Sequence, residues 1–442
     1  MHIVVIGAGA VGSHLAERLS IEGQDVVVVE ADASKAQDIQ SRLDALVITG
    51  NGASRSVLEE ARIEDAGLLI AVTNSDAVNI LSCQAASAFD VPFKVARVED
   101  PALRGRNGID GVDHIIDPTE ELAAELLRLV RKSGVSEMVE FADGRFALLG
   151  GYVQHGARLD GMTLGDLRTH VKGWDWLVTA VVRGGEPRIA RGDTTVQAGD
   201  HILVMARGDR THEAIEFMGL DDHRARRAMI LGATRLAGLA AERFARNGIH
   251  TTILDNDAER CRSLARSSDK VVVVQGDAMD PRMLRNEGIE NVDAFLALTG
   301  WDEINIVGCL LAKALGAPTT VARFHRFEYV GLLPGVGIDA GVSSRLAAAS
   351  AILQFVRRGH VHSVATFQDT AAEAIELEVE PTSRAIGKDL REIGLPKSVI
   401  VGGVLRGKKA FIPHGDTVIH EHDRLIVVAL PEAIRSVEHI FA

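Results

Sequence analysis

The feature that most limits what this chain can fold into is that it repeats itself. Val4-Val5-Ile6-Gly7-Ala8-Gly9-Ala10-Val11-Gly12 returns as Met229-Ile230-Leu231-Gly232-Ala233-Thr234-Arg235-Leu236-Ala237, 225 positions later, and Glu30 returns as Asp255. After a one-residue shift, Gly50-Asn51, Thr73, Asp76, Asn79 and Arg97 align with Gly276-Asp277, Thr299, Asp302, Asn305 and Arg323. Agreement at so many polar and glycine positions marks a duplicated unit of about half the chain. At 442 residues the chain is also too long for one ordinary core.

Each unit opens on a strand that breaks into a turn and then a helix. His2 to Ile6 is an apolar run, and Leu15, Ala16 and Leu19 follow the turn at helical spacing. Strand, glycine-rich turn and helix in that order form a dinucleotide-binding fingerprint. Gly7 permits the tight turn, Gly9 keeps side chains off a pyrophosphate, and Gly12 lets the helix pack closely. The backbone from Gly7 through Ala8, Gly9, Ala10 and Val11 then forms an anion site at a helix N-terminus. A second apolar strand, Val26 to Val29, ends in Glu30, where a carboxylate accepts hydrogen bonds from a ribose and repels a 2′-phosphate.

The apolar runs alternate with helical segments up to about Val135, as a parallel, doubly wound sheet requires. Strands are expected near Ile3, Val26, Ala45, Leu68, Lys94 and His114, closed by a helix from Asp117-Pro118 to Arg131-Lys132, with Asp117 as its cap. Its counterpart runs from Ser344 to Arg357-Arg358. Leu122, Leu126 and Val130, and Leu346, Leu353 and Val356, give these helices apolar faces that either link units or pack within one. The stretches after them, Glu137 to Met218 and His362 to Phe441, have short strands, turn residues, one internal helix and a terminal helix. The expected fold is α/β: two tandem repeats, each a Rossmann-like lobe followed by a small α+β lobe. The expected boundaries are 1–135, 136–220, 226–358 and 359–442, with the charged connector Gly219 to Arg226 between halves.

The formal net charge of −13, without an aromatic and basic stripe, argues against a nucleic-acid partner. Cys83, Cys261 and Cys309 form no C-x-x-C pair, which points to a reducing compartment without disulfides or a zinc site. No apolar run approaches the roughly 20 residues of a spanning helix, so a cytoplasmic protein is expected.

Thr73 and Asn74 follow the fourth strand, whose carboxyl end lies beside the first at the switch point where ligands bind. They are candidates for flanking a nucleotide, whereas Asp76 and Asn79 read as helix caps. Arg97 can meet phosphate oxygens with its fork of donors or sit in a surface ion pair. In the second lobe Thr234 replaces the middle glycine and would crowd a pyrophosphate, while Asp255, Thr299 and Arg323 remain. No catalytic constellation stands out, and nothing completes a metal shell around His420-Glu421-His422. A NAD-dependent oxidoreductase is the alternative from another class.

The motifs Gly276-Asp277-Ala278 with Leu284 and Glu287-Gly288-Ile289, Thr299 to Asn305, Leu332 to Asp339 and Ile412 to Val418 carry a more specific signal. Through them the chain resembles the TrkA family, the peripheral nucleotide-binding subunits of Trk potassium-uptake systems, built of two tandem RCK (regulator of potassium conductance) units. The resemblance implies that NAD or NADH, and ATP or ADP, are ligands rather than reactants. It implies a homo-oligomer, a dimer or tetramer forming a ring of RCK units, beneath a TrkH/TrkG-type potassium channel subunit on the inner face of the membrane. By residue, it implies that Gly7 to Val11 cradle phosphates, Glu30 holds ribose, Thr73 and Asn74 flank the nucleotide and Arg97 contacts phosphate. Gly232, Ala233, Thr234, Arg235, Leu236, Asp255, Thr299 and Arg323 hold the equivalent positions in the second unit.

Overall fold

The computed structural model describes residues 1–442 except 44, 105–107, 132–134, 171–172, 174, 221–224, 268–269, 327–335, 357–360, 368–371 and 442. Lys132, Arg357-Arg358, the centre of the connector at 221–224 and Leu332 to Gly335 therefore lie outside the described residues.

The first parallel sheet consists of β1 (His2–Ile6), β2 (Asp25–Glu30), β3 (Leu46–Thr49), β4 (Leu68–Ala71), β5 (Lys94–Arg97) and β6 (His114–Ile116). Its order is β3-β2-β1-β4-β5-β6, so the chain starts at the centre and reverses direction between β1 and β4. The sequence explains the placement of β1. Ile3, Val4, Val5 and Ile6 are all buried to within 1%, and a strand apolar on both faces belongs in the middle of a sheet covered by helices. Burial of each such side chain contributes about 1.5–3 kcal/mol. Val4, Ile6, Val27, Val29, Leu69 and Cys83 share one core under the sheet.

An antiparallel sheet follows, built of β7 (Glu137–Phe141), β8 (Phe146–Tyr152), β9 (Trp176–Arg183), β10 (Glu186–Ile189) and β11 (His201–Arg207) in the order β10-β9-β11-β8-β7. The pattern then recurs. The second parallel sheet has β12 (Arg227–Leu231), β13 (His250–Asp255), β14 (Val272–Gln275), β15 (Ala294–Ala297), β16 (Thr319–Arg323) and β17 (Ala340–Val342), in the order β14-β13-β12-β15-β16-β17. The last sheet, β18 (Val361–Thr366), β19 (Glu373–Glu378), β20 (Val399–Arg406), β21 (Lys409–Phe411) and β22 (Arg424–Ala429), runs β18-β19-β22-β20-β21. The α/β fold with two tandem repeats is the one expected.

The two antiparallel sheets share a core that includes Phe146, Leu203, Met205, Leu405, Ile426 and Val428. The Arg191 guanidinium donates to the carbonyls of Pro396, Lys397 and Val399 at 3.3, 3.0 and 3.0 Å. One repeated detail ties the hairpins. Arg183 binds Asp200 through two bonds of 2.7 Å, and Arg406 binds Asp423 through two of 2.8 Å, with both carboxylates buried. One expectation fails. The first antiparallel lobe has a helix at Leu164–His170, but its counterpart around Lys388–Leu395 is a run of turns. Gly387 and Gly394 adopt φ of 78° and 74° there, and Pro396 follows, so a helix has no unbroken stretch to occupy.

The chain divides into two compact units, one of Met1–Glu121 with Arg345–Gly359 and the other of Leu122–Ser344 with His360–Ala442. The helix Ser344–Val356, which closes the second repeat in sequence, thus groups almost entirely with the first parallel sheet. Leu122, Leu126, Val130, Leu346 and Leu353 are all buried, as expected of packed apolar faces.

Candidate nucleotide-binding sites

At the first turn the three glycines have separate causes. Gly7 sits at φ 99°, in the left-handed region, and a Cβ there would lie 2.9 Å from Thr73 Cγ2. A Cβ on Gly12 would fall 1.8 Å from the carbonyl oxygen of Gly7, so the helix rests directly on the turn. Around Gly9 no atom comes within 4 Å of the added carbon, which leaves open space over the backbone. The helix Ala10–Ile21 starts at Gly9 with no side chain capping it. Its leading N–H groups and positive dipole end face the carboxyl edge of the sheet. Val11 is buried and Ala10 is exposed.

Glu30 organises this turn. Its Oε2 accepts from the Ala8 N–H at 2.6 Å and its Oε1 from the Asp32 N–H at 2.9 Å. Across the switch point, Thr73 donates from its N–H and its hydroxyl to Asn79 Oδ1 at 2.8 and 2.7 Å. Asn79 Nδ2 in turn donates to the carbonyls of Thr73 and Arg97 at 3.1 and 2.9 Å. Asn74 stands exposed beside them. Arg97 is in the ion pair that was the alternative for it, with Nε 2.9 Å from Glu99 Oε1.

Asp76 and Asn79 are not the helix caps their positions suggest. Ser75 is the cap, accepting from the Val78 N–H at 3.4 Å. Asp76 instead accepts from the N–H groups of Glu99 and Asp100 at 3.0 and 2.8 Å, and fully buried Asn79 joins the ends of β4 and β5. Both are tertiary ties, invisible to a local reading. Their recurrence as Asp302 and Asn305 was the one available signal.

The second turn keeps the frame and changes the mouth. Gly232 has φ 104°, and Asn305 Oδ1 accepts from the N–H and hydroxyl of Thr299 at 2.9 and 2.7 Å. Asp255 accepts from the Ala233 N–H at 2.7 Å, the Asp257 N–H at 2.9 Å and Arg260 Nη2 at 3.1 Å. It is 5% exposed, so its carboxylate is more enclosed than that of half-buried Glu30. Thr234 caps its own helix: Oγ1 accepts from the Ala237 N–H at 3.2 Å and donates to the Leu298 carbonyl at 3.1 Å. The hydroxyl oxygen thus takes up a helix N–H donor of the kind that the first turn leaves uncapped. Arg235 is exposed, Leu236 is buried, and Arg323 Nη2 reaches Ser344 Oγ at 3.4 Å.

Elsewhere the chemistry is quiet. Burial pushes the Cys83 thiol up to about 12 and raises those of Cys261 and Cys309 as well, so none is a ready nucleophile. Among the described residues no group of three His, Cys, Asp or Glu is placed to hold a metal ion. No described helix is long and apolar enough to cross a membrane.

Two doubly wound sheets, each with a glycine turn clamped by a strand-end carboxylate and each followed by an antiparallel lobe, define a tandem α/β protein of the Rossmann class. Similarity to known proteins narrows this. The TrkA-N domain matches residues 3–118 and 228–344, and the TrkA-C domain matches 152–219 and 374–442. The chain belongs to the TrkA family. It is 35% identical over 451 residues to the Trk system potassium uptake protein TrkA of Halomonas elongata, covering 100% of this chain and 98% of that one. A TrkA homolog of Archaeoglobus fulgidus is 34% identical over 445 residues, with 100% of both covered. Among solved structures, the GsuK channel bound to NAD has a TM-score of 0.60 at 19% identity, covering 100% of this chain and 78% of that one. The GsuK RCK domain has a TM-score of 0.59 at 20% identity, with 100% and 94% covered. These relatives are named for potassium uptake and for a channel, not for catalysis, which agrees with the expectation of a non-enzyme.

Proposed function

We propose that this chain is the cytoplasmic regulatory subunit of a Trk-type potassium-uptake system, binding NAD(H) at the first glycine turn and an adenine nucleotide at the second. Gly7 to Val11 cradle phosphate, Glu30 holds ribose, Thr73 and Asn74 flank the ligand, and Arg97 leaves Glu99 for phosphate. Gly232 to Leu236, Asp255, Thr299 and Arg323 do the same work at the second turn. The four lobes divide at 1–135, 136–220, 226–358 and 359–442. A homo-oligomeric ring of these units, peripheral to the membrane, acts on a channel subunit of TrkH or TrkG type. Nucleotides shift the ring only through a difference in affinity between its geometries.

The observation that supports this reading most is the duplicated, carboxylate-clamped glycine turn in a chain alike over its whole length to a potassium uptake protein. Calorimetric titration of NADH into wild type and Glu30→Ala tests it. Loss of one charge-assisted contact should weaken NADH about tenfold or more, with Asp255→Ala sparing it. Unchanged NADH binding in Glu30→Ala would reject the first turn as the NADH site.

A further inference from the structure

The two sheet ends are tethered alike and charged oppositely. Asp76 holds the backbone N–H groups of Glu99 and Asp100 at 3.0 and 2.8 Å. Asp302 holds those of His325 and Arg326 at 2.9 Å each, through Oδ1 and Oδ2. The loops after β5 and β16 therefore leave their strands on the same tether, and positions 99 and 100 correspond to 325 and 326. The first repeat has two carboxylates there, and the second has an imidazole and a guanidinium. Glu99 also engages the Arg97 guanidinium. Its counterpart His325 turns to Asp302 instead, Nδ1 to Oδ1 at 2.8 Å.

The strand order gives these positions a meaning. Glu30 and Asp255 end β2 and β13, on one side of each central strand, while positions 99–100 and 325–326 follow β5 and β16 on the other. A nucleotide with its adenosine on the β2 or β13 side and its first phosphates over the turn presents its remaining half to the β5 or β16 side. For a dinucleotide that half is a second nucleoside, neutral or cationic. For a nucleoside triphosphate it is the terminal phosphate.

We propose that positions 99–100 and 325–326 select the class of nucleotide: the first repeat takes the dinucleotide, and the second takes a nucleoside triphosphate with Arg326 and Arg323 toward its terminal phosphate. The inference rests on the nucleotide reading above and adds to it the residues that divide the ligands. The turns fit the same division. Thr234 gives up close backbone approach, and Arg235, standing where the first turn has Ala10, supplies a side-chain cation.

The test titrates ATP and NADH, each alone and each into protein saturated with the other. It uses full-length wild type, Arg326→Asp and Arg326→Gln, with thermal unfolding of each followed in parallel. Wild type should bind both nucleotides at once. Arg326→Asp should weaken ATP about tenfold or more and Arg326→Gln by less, with NADH affinity preserved. Unchanged ATP affinity in both variants, or exclusion of ATP by saturating NADH, would overturn the assignment. If Arg326→Asp unfolds, Arg326→Gln decides alone, and undiminished ATP binding in it overturns the assignment. Failure of wild type to bind either nucleotide would reject the nucleotide reading itself, and is told apart by involving no variant.

Discussion

At the scale of single residues, the first turn leaves no slack. Gly12→Ala drives a methyl carbon to within 1.8 Å of the Gly7 carbonyl oxygen, so the helix must move off the turn. The expected cost is about 1–3 kcal/mol, read by urea unfolding, together with weaker NADH binding. The reverse change at the aligned position, Ala237→Gly, removes a native methyl from a helix and should cost only about 0.5–1 kcal/mol. Equal and small effects at both positions would contradict the close packing seen at Gly12. The glycine roles were legible in the sequence because φ above zero and close approach each admit one residue type. The role of Thr234 was half legible. Its β-branch announced crowding, but the cap it forms with the Ala237 N–H depends on where the hydroxyl turns.

At the scale of elements, strands were readable and the ties between them were not. Runs such as Ile3 to Ile6 declare a central parallel strand by composition alone. Asn79 gives no such sign, since a polar residue in the first turn of a helix reads as a cap. Its amide spans two strand ends that only the folded sheet brings together. Asn79→Ala strips partners from the Thr73 N–H and the Arg97 carbonyl, and should cost about 3 kcal/mol in chemical unfolding. A neutral result would show that these groups are not desolvated. The end of β19 supplies a pH signature. The N–H groups of His422 and His362 hold the Glu378 carboxyl below its ordinary value of 4.5. Because the folded value is depressed, the stability this group contributes is present above 4.5 and is lost as pH falls through the lower value. His422→Ala should move the Glu378 carboxyl titration, followed by NMR, upward toward 4.5. No movement would mean that the 2.8 Å contact does not persist in solution.

At the scale of the whole molecule, duplication is the organising fact. Two copies of one unit hold their glycine turns with the same carboxylate clamp and their loops with the same aspartate tether, yet differ at the positions a ligand would meet. That division of a shared frame from varied contacts is consistent with the proposed reading of two nucleotides by one chain. The repeat and the lobes were visible in the sequence. The grouping of the helix Ser344–Val356 with the first parallel sheet was not, because its apolar face specifies burial but not which sheet provides it. Under the proposed function, nucleotide binding at the first turn controls potassium flux. This control is tested most directly by potassium flux into vesicles carrying the Trk-type channel subunit, with this chain at the cytoplasmic face and NADH varied. The flux should respond to NADH with wild-type chain and should not respond with Glu30→Ala. A flux indifferent to NADH with wild-type chain bound to the channel would contradict it.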